Sequence, residues 1–143
     1  IQKHFRENGK TIQTPVIDEI LELCKYQTYY VQLLCNRLYA RYDQVGETNL
    51  QEIWQEIVEE EQAIFHNYKN LLSTKQWDLL TAIAKSEPVK HPNASDFLQQ
   101  YRLGAASSIS SALKALLEKQ FIMQDESGYA VQDALLARWL QQN

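Results

Sequence analysis

Apolar positions recur at helical spacing along most of the chain. Ile1 and Phe5 stand four apart before Gly9, a helix-ending residue type, which reads as the tail of a short helix. Val16, Ile17, Ile20, Leu21 and Leu23 then form one apolar side. Thr14 precedes them as an N-cap, Pro15 takes the first helical position, and Asp18 and Glu19 fall in the early turns. Tyr30, Leu33, Leu34, Arg37, Leu38 and Tyr42 repeat at three- and four-residue steps. Val31 and Cys35 widen that stripe, which predicts a helix central to its bundle. Residues 43–47, with Gly46, read as a turn. The longest periodic run takes in Leu50, Ile53, Trp54, Ile57, Val58, Phe65, Tyr68, Leu71 and Leu72, with Thr48 able to cap its start. One helix of about 25 residues would span roughly 37 Å at about 1.5 Å per residue, long enough to link two small bundles.

The pattern then changes. "STKQWDLLTAIAKS" predicts a helix from Ser73 with Trp77, Leu80, Ile83 and Ala84 inward. Pro92 and Asn93 carry turn chemistry before a short helix through Phe97, Leu98 and Tyr101, which Gly104 ends. "SSISSALKALLEKQ" is a third helix with Ile109, Ala112, Leu113, Leu116 and Leu117 as its inner stripe. "FIMQ" and "YAVQ" are short strands joined by "DESG", a hairpin with Gly128 near its end. A last helix starts at Asp133 and buries Leu136, Trp139 and Leu140. Three helices, a hairpin and a further helix are the order of a winged helix-turn-helix with one helix added. The expected fold is therefore mainly α: a helical lid-like bundle over residues 1–72, ending in the long linking helix, and a winged-helix domain with a two-stranded wing over residues 73–143.

Composition narrows the function classes. With 45% hydrophobic and 22% charged residues the chain is an ordinary globular sequence, and its 4 Gly and 3 Pro suit helices with short connections. No apolar run approaches the ~20 residues of a membrane span, and no signal-peptide pattern opens the chain. It begins with Ile1 rather than Met, as a piece of a longer protein would. Residues 1–72 hold 7 Lys/Arg and 11 Asp/Glu; residues 73–143 hold 7 of each. Neither half has the basic excess of a strong nucleic-acid binder. Cys24 and Cys35 lie inside apolar helical patterns, where two buried free thiols are expected, in a reducing cytoplasm.

The segments "YKNLLSTKQWDLLTAIAKSE", "FLQQYRLGAASSISSALKALLEKQFI" and "YAVQDALLARWL" resemble the C-terminal region of bacterial and archaeal AAA+/STAND-type P-loop ATPases. "TYYVQLLCNRLY" resembles a segment of the helical lid that follows their nucleotide-binding core. The resemblance implies a lid and a winged helix without the core. It implies ATP and magnesium as cofactors of the parent protein and the parent's own N-terminal ATPase core as a partner. It places Tyr26, Gln27, Thr28, Tyr29 and Tyr30 beside the nucleotide. The family's usual Gly-x-Pro step before the Tyr-Tyr pair is here Tyr26-Gln27-Thr28, and its Asp-Pro-Phe-Phe near the end is Asp133-Ala134-Leu135-Leu136.

The chain has no Gly-x-x-x-x-Gly-Lys-Ser/Thr to cradle a triphosphate and no strand ending in paired acids to hold magnesium, so it is expected not to be an enzyme by itself. His4, His66 and His91 are widely separated, and neither cysteine stands at ligand spacing from a histidine, so no metal site is expected. Glu59, Glu60 and Glu61 read as a solvated face.

For the winged helix, the candidate DNA or partner face holds Arg102, Ser107, Ser108, Ser111, Lys114 and Lys119. DNA reading favours Arg, Asn and Gln at base edges and cations at phosphates. This face is mostly serine, and the wing tip carries Asp125 and Glu126. Ser107 or Ser108 is expected to cap the helix. A protein partner is expected first, with weak DNA binding as the alternative.

Overall fold

The apolar periods become eight helices in the computed structural model, which describes residues 1–143. In chain order these are α1 (Gln2–Glu7), α2 (Thr14–Leu23), α3 (Thr28–Arg41), α4 (Glu47–Leu71), α5 (Thr74–Ser86), α6 (Ser95–Gln100), α7 (Ala106–Glu118) and α8 (Ala134–Gln142). Two strand pairs join them: β1 (Thr11–Ile12) with β2 (Gln44–Val45), and β3 (Ile122–Asp125) with β4 (Gly128–Val131). No helix is long and apolar enough to cross a membrane.

The chain forms two compact units, Ile1–Glu60 and Glu61–Asn143. The division falls inside α4, not at the 72/73 boundary that the change of pattern suggests. Phe65 and His66 explain the difference: both lie beyond Glu60 and make ring contacts with Trp139 of α8, at 5.6 and 4.9 Å between centroids.

In the first unit, Phe5, Ile20, Leu34, Leu38, Leu50, Ile53, Trp54 and Ile57 form the core. The loop expected around Gly46 contains β2, which pairs in parallel with β1 through Thr11↔Gln44 and Ile12↔Val45. Two-residue strands carry no period, so the sequence pattern does not reveal them. α2 begins one residue earlier than its Thr-Pro signal indicates: Gln13 is the N-cap, and Thr14 and Pro15 occupy the first turn. Proline is tolerated there because the first amides of a helix lack intrahelical acceptors. Thr48 lies within α4, and the amide of Gly46 donates to the Asn49 side chain at 2.9 Å at the helix start.

In the second unit, α5 packs against both α7 and α8. Leu79, Leu80 and Ile83 of α5, Ile109 and Leu116 of α7, and Leu135 and Leu140 of α8 are buried. Ser73 makes the expected start of α5 as a full capping box: its hydroxyl accepts from the Gln76 amide, and the Gln76 side chain accepts from the Ser73 amide. Asp133 caps α8 by accepting from the Leu136 amide at 2.8 Å. Asp133→Ala is expected to cost about 1 kcal/mol, the usual value of an N-cap. Urea unfolding should show a lower midpoint at unchanged slope; an unchanged midpoint would mean that the cap contributes nothing.

The hairpin pairs antiparallel from Ile122↔Val131 to Asp125↔Gly128. It is the expected two-stranded wing, with one isolated bridge beside it. Val89, in the connection from α5 to α6, exchanges both backbone hydrogen bonds with Tyr129, at 2.9 and 2.8 Å. One bridging residue has no periodicity and is invisible in the sequence pattern. It fixes the wing to the body of the unit.

Candidate functional site

α7 presents the face at issue. Ile109, Ala112, Leu113 and Leu116 of its inner stripe are buried and Leu117 is half-buried, while Ser107, Ser108, Ser111, Lys114 and Glu118 are exposed. The expected serine cap is not formed. The N-cap is Ala105, with no side-chain hydrogen bond, and Ser107 and Ser108 sit within the first turn. Gly104, at φ +82°, and Arg102, at φ +53°, turn the chain sharply around buried Leu103, and this sets the helix start two residues earlier than the serines. Lys75 helps to hold that turn by donating to the Leu103 carbonyl at 2.5 Å.

The cations of this face are few, and both lysines have partners. Lys114 is the one cation within α7 and faces Glu118 one turn on at 4.0 Å. Lys119 follows the helix end, where its ammonium lies 3.4 Å from both the Leu71 carbonyl and the Gln76 amide oxygen. Arg102 is exposed before the helix. At the wing tip Asp125 accepts from the Ser127 hydroxyl at 2.5 Å and the Ser127 amide at 2.8 Å. Those bonds, the hydroxyl's foremost, hold its carboxyl below the usual range, so the tip keeps its negative charge. Glu126 beside it is exposed.

In the first unit the predicted nucleotide-adjacent residues span the α2–α3 turn, Tyr26 and Gln27, and the first turn of α3, Thr28, Tyr29 and Tyr30. Lys25 and Tyr26 both adopt left-handed backbone, at φ +49° and +57°. Gln27 is the N-cap of α3 and Thr28 its first residue. Tyr26 is 68% exposed and Tyr29 70%. Tyr30 meets Tyr29 edge-on at 5.3 Å and Trp54 at 6.1 Å. The segment therefore exposes Tyr26 in the turn and Tyr29 at the start of α3, where Tyr29 rests against Tyr30.

Glu59 and Glu60 are exposed, as expected of a solvated face, and Glu60 is also paired. Glu60 binds Arg37 through two parallel hydrogen bonds of 2.8 and 2.7 Å, and Glu56 takes Arg41 at 2.6 Å. The Arg37 hydrogen bond lowers the Glu60 carboxyl's pKa. The period of α4 alone does not identify these partners on α3. No group of three or more His, Cys, Asp or Glu side chains is placed to hold a metal ion.

Cys24 is buried and Cys35 half-buried, both as free thiols. Burial, with the nearby Cys35 adding to it, pushes the Cys24 thiol up to about 12. Burial also raises Cys35. At pH 8 the Cys24 thiolate fraction falls on the order of 10³ below that of an unfolded cysteine, since only the thiolate reacts. Disulfide-exchange labelling of the native chain at pH 8 should spare Cys24 until unfolding; modification at the unfolded rate would show an accessible thiol.

Sequence reasoning missed a cleft in the second unit, lined by residues of α4, α5 and α8 that include His66, Lys69, Trp77 and Trp139. Trp77, expected inward, is half-buried at its wall. Three separate helices contribute, so no linear spacing announces it.

A three-helix body, a hairpin braced by Val89 and a serine-faced α7 define the second unit as a winged helix-turn-helix, a fold that commonly binds DNA or proteins. The chain belongs to the family described as a probable winged helix domain, whose model matches residues 63–142. The match begins within α4, close to the 60/61 division of the two units. No curated protein and no solved structure matches the chain.

Proposed function

We propose that this chain is the non-catalytic C-terminal regulatory portion of a cytoplasmic P-loop ATPase. In this reading the helices of residues 1–72 form a lid over a nucleotide held, with magnesium, by a core outside this sequence. Tyr26, Gln27, Thr28, Tyr29 and Tyr30 are the lid's nucleotide-adjacent segment. The winged helix transmits or senses the nucleotide state by contacting protein. The observation that carries the choice of partner is the outer face of α7 with its wing. It has one cation within the helix, opposite Glu118, and two acids at the wing tip. Such a surface lacks the counter-charge that phosphate neutralisation requires. The ATPase parentage is supported by the order and spacing of the segments that resemble that family.

The reading frame preceding Ile1 tests the parentage. It should encode Gly-x-x-x-x-Gly-Lys-Ser/Thr about 200 residues upstream, the scale of one α/β domain. A complete frame without that motif would remove the ATPase reading.

A second reading, weak DNA binding, is favoured by one observation. No side chain caps the N-terminus of α7, and exposed Arg102 lies just before it. An uncapped helix start is a place for a phosphate. In that case Lys114→Glu with Lys119→Glu should abolish the affinity for duplex DNA, and unchanged affinity in the double variant would count against it.

A further inference from the structure

The cleft between the end of α4, the first half of α5 and the end of α8 is separate in its residues from α7 and the wing, and its chemistry is specific. It encloses about 220 Å3. That is below the roughly 300–1,000 Å3 of pockets that bury drug-sized ligands, and on the scale of a single side-chain ring. Its aromatic wall is Trp139, with the Trp77 ring at 6.1 Å and 64° and His66 edge-on at 4.9 Å. Both indoles stand in tilted or edge-on arrangements, which a further ring can extend. Lys69 stands at the same cleft with its ammonium 5.9 Å from the Trp77 ring centre. It makes no ion pair, and no Asp or Glu lines the cleft. Thr81 also lines it, and the Thr81 hydroxyl is shielded from solvent without a hydrogen-bond partner. That oxygen is sealed off from the cleft, so Thr81 presents its other atoms to the cleft wall.

We propose that this cleft is an anchor pocket for one aromatic side chain on an acidic segment of a protein partner. The ring packs against Trp77 and Trp139, and an adjacent carboxylate pairs with Lys69. A single aromatic anchor in a desolvated pocket, with charge at its rim, is the arrangement that concentrates binding free energy at protein interfaces. The pocket deepens the protein-interaction reading and rests on it, but it uses none of the residues of α7.

The test follows the three indole N–H signals of the 15N-labelled 143-residue chain, from Trp54, Trp77 and Trp139, during titration with the peptide acetyl-Asp-Glu-Phe-Glu-Asp-amide. The signals of Trp77 and Trp139 should move saturably, and that of Trp54, in the first unit, should stay. Replacing the peptide's Phe by Ala, its acids by Lys, or the chain's exposed Lys69 by Glu should each weaken binding about tenfold or more, the equivalent of one lost charge-assisted contact or ring. Absent shifts, equal binding of the Ala or Lys peptide, or free phenylacetate binding as tightly as the peptide would each overturn the proposal. If duplex DNA binds at α7 while the peptide response persists, the reading of α7 fails and the pocket stands. If the peptide response is absent and DNA does not bind, the pocket alone fails.

Discussion

Gly128→Ala should lower the melting temperature of the winged-helix unit by roughly 15 °C, the largest effect expected of any single methyl group in the chain. Gly128 sits at φ +126°, a conformation that side-chain-bearing residues rarely adopt. A Cβ there would meet the carbonyl carbon and oxygen of Val89 at 2.6 Å and the Lys90 amide nitrogen at 2.9 Å. All three are backbone atoms, so no side-chain rotation relieves the clash. The alternative is to break the Val89–Tyr129 bridge that braces the wing. Strained backbone costs roughly 1–3 kcal/mol and overpacking about the same, so about 3 kcal/mol is a fair sum. A domain of this size loses roughly 4–8 °C per kcal/mol. Gly9→Ala is the control: Gly9 also has positive φ, at +72°, but nothing lies within 4 Å of the place its methyl would take. It should cost about 1–2 kcal/mol, the left-handed penalty alone. Equal losses in the two variants, measured by thermal unfolding, would remove the clash with Val89 as the cause.

Trp139→Ala should cost about 3–5 kcal/mol, the range for deleting a buried large aromatic side chain. Trp139 is 7% exposed and contacts rings from two other helices: Phe65 and His66 of α4 and Trp77 of α5. Its removal leaves a cavity where α4, α5 and α8 meet and frees the last turns of α4. Denaturant unfolding should show the loss of stability. Amide exchange should speed up around Phe65 and His66, the stretch that belongs to the second unit. A loss below about 1 kcal/mol would mean that the end of α4 is not packed there, because a ring with this much buried surface cannot be deleted so cheaply.

The two predictions mark what the sequence pattern could and could not reveal. Side-chain signals act locally, so the capping residues Ser73 and Asp133 were readable as starts of α5 and α8. The inner and outer stripes of α7 were readable for the same reason, since a helical period fixes faces without any partner. The start of α7 was not readable: its N-cap is Ala105, set by the Arg102–Gly104 turn, while the serines nearby mimic caps. β1, β2 and the Val89 bridge were hidden because one or two residues have no period and their partners are distant. The length of α4 was readable, but the division within it was not, because its apolar pattern continues from Ile57 to Phe65 while the packing partners change. The cleft needed Trp77 and Trp139 brought together from 62 positions apart, which only the fold does. The exposed α7 face was thus legible as a surface, and the anchor pocket was not.

If α7 and the wing meet protein rather than DNA, the intact chain should leave the fluorescence anisotropy of a labelled DNA duplex essentially unchanged at low salt, about 50 mM, where phosphate contacts are strongest. Saturable, sequence-selective binding at micromolar or tighter affinity, falling steeply as salt rises, would contradict it.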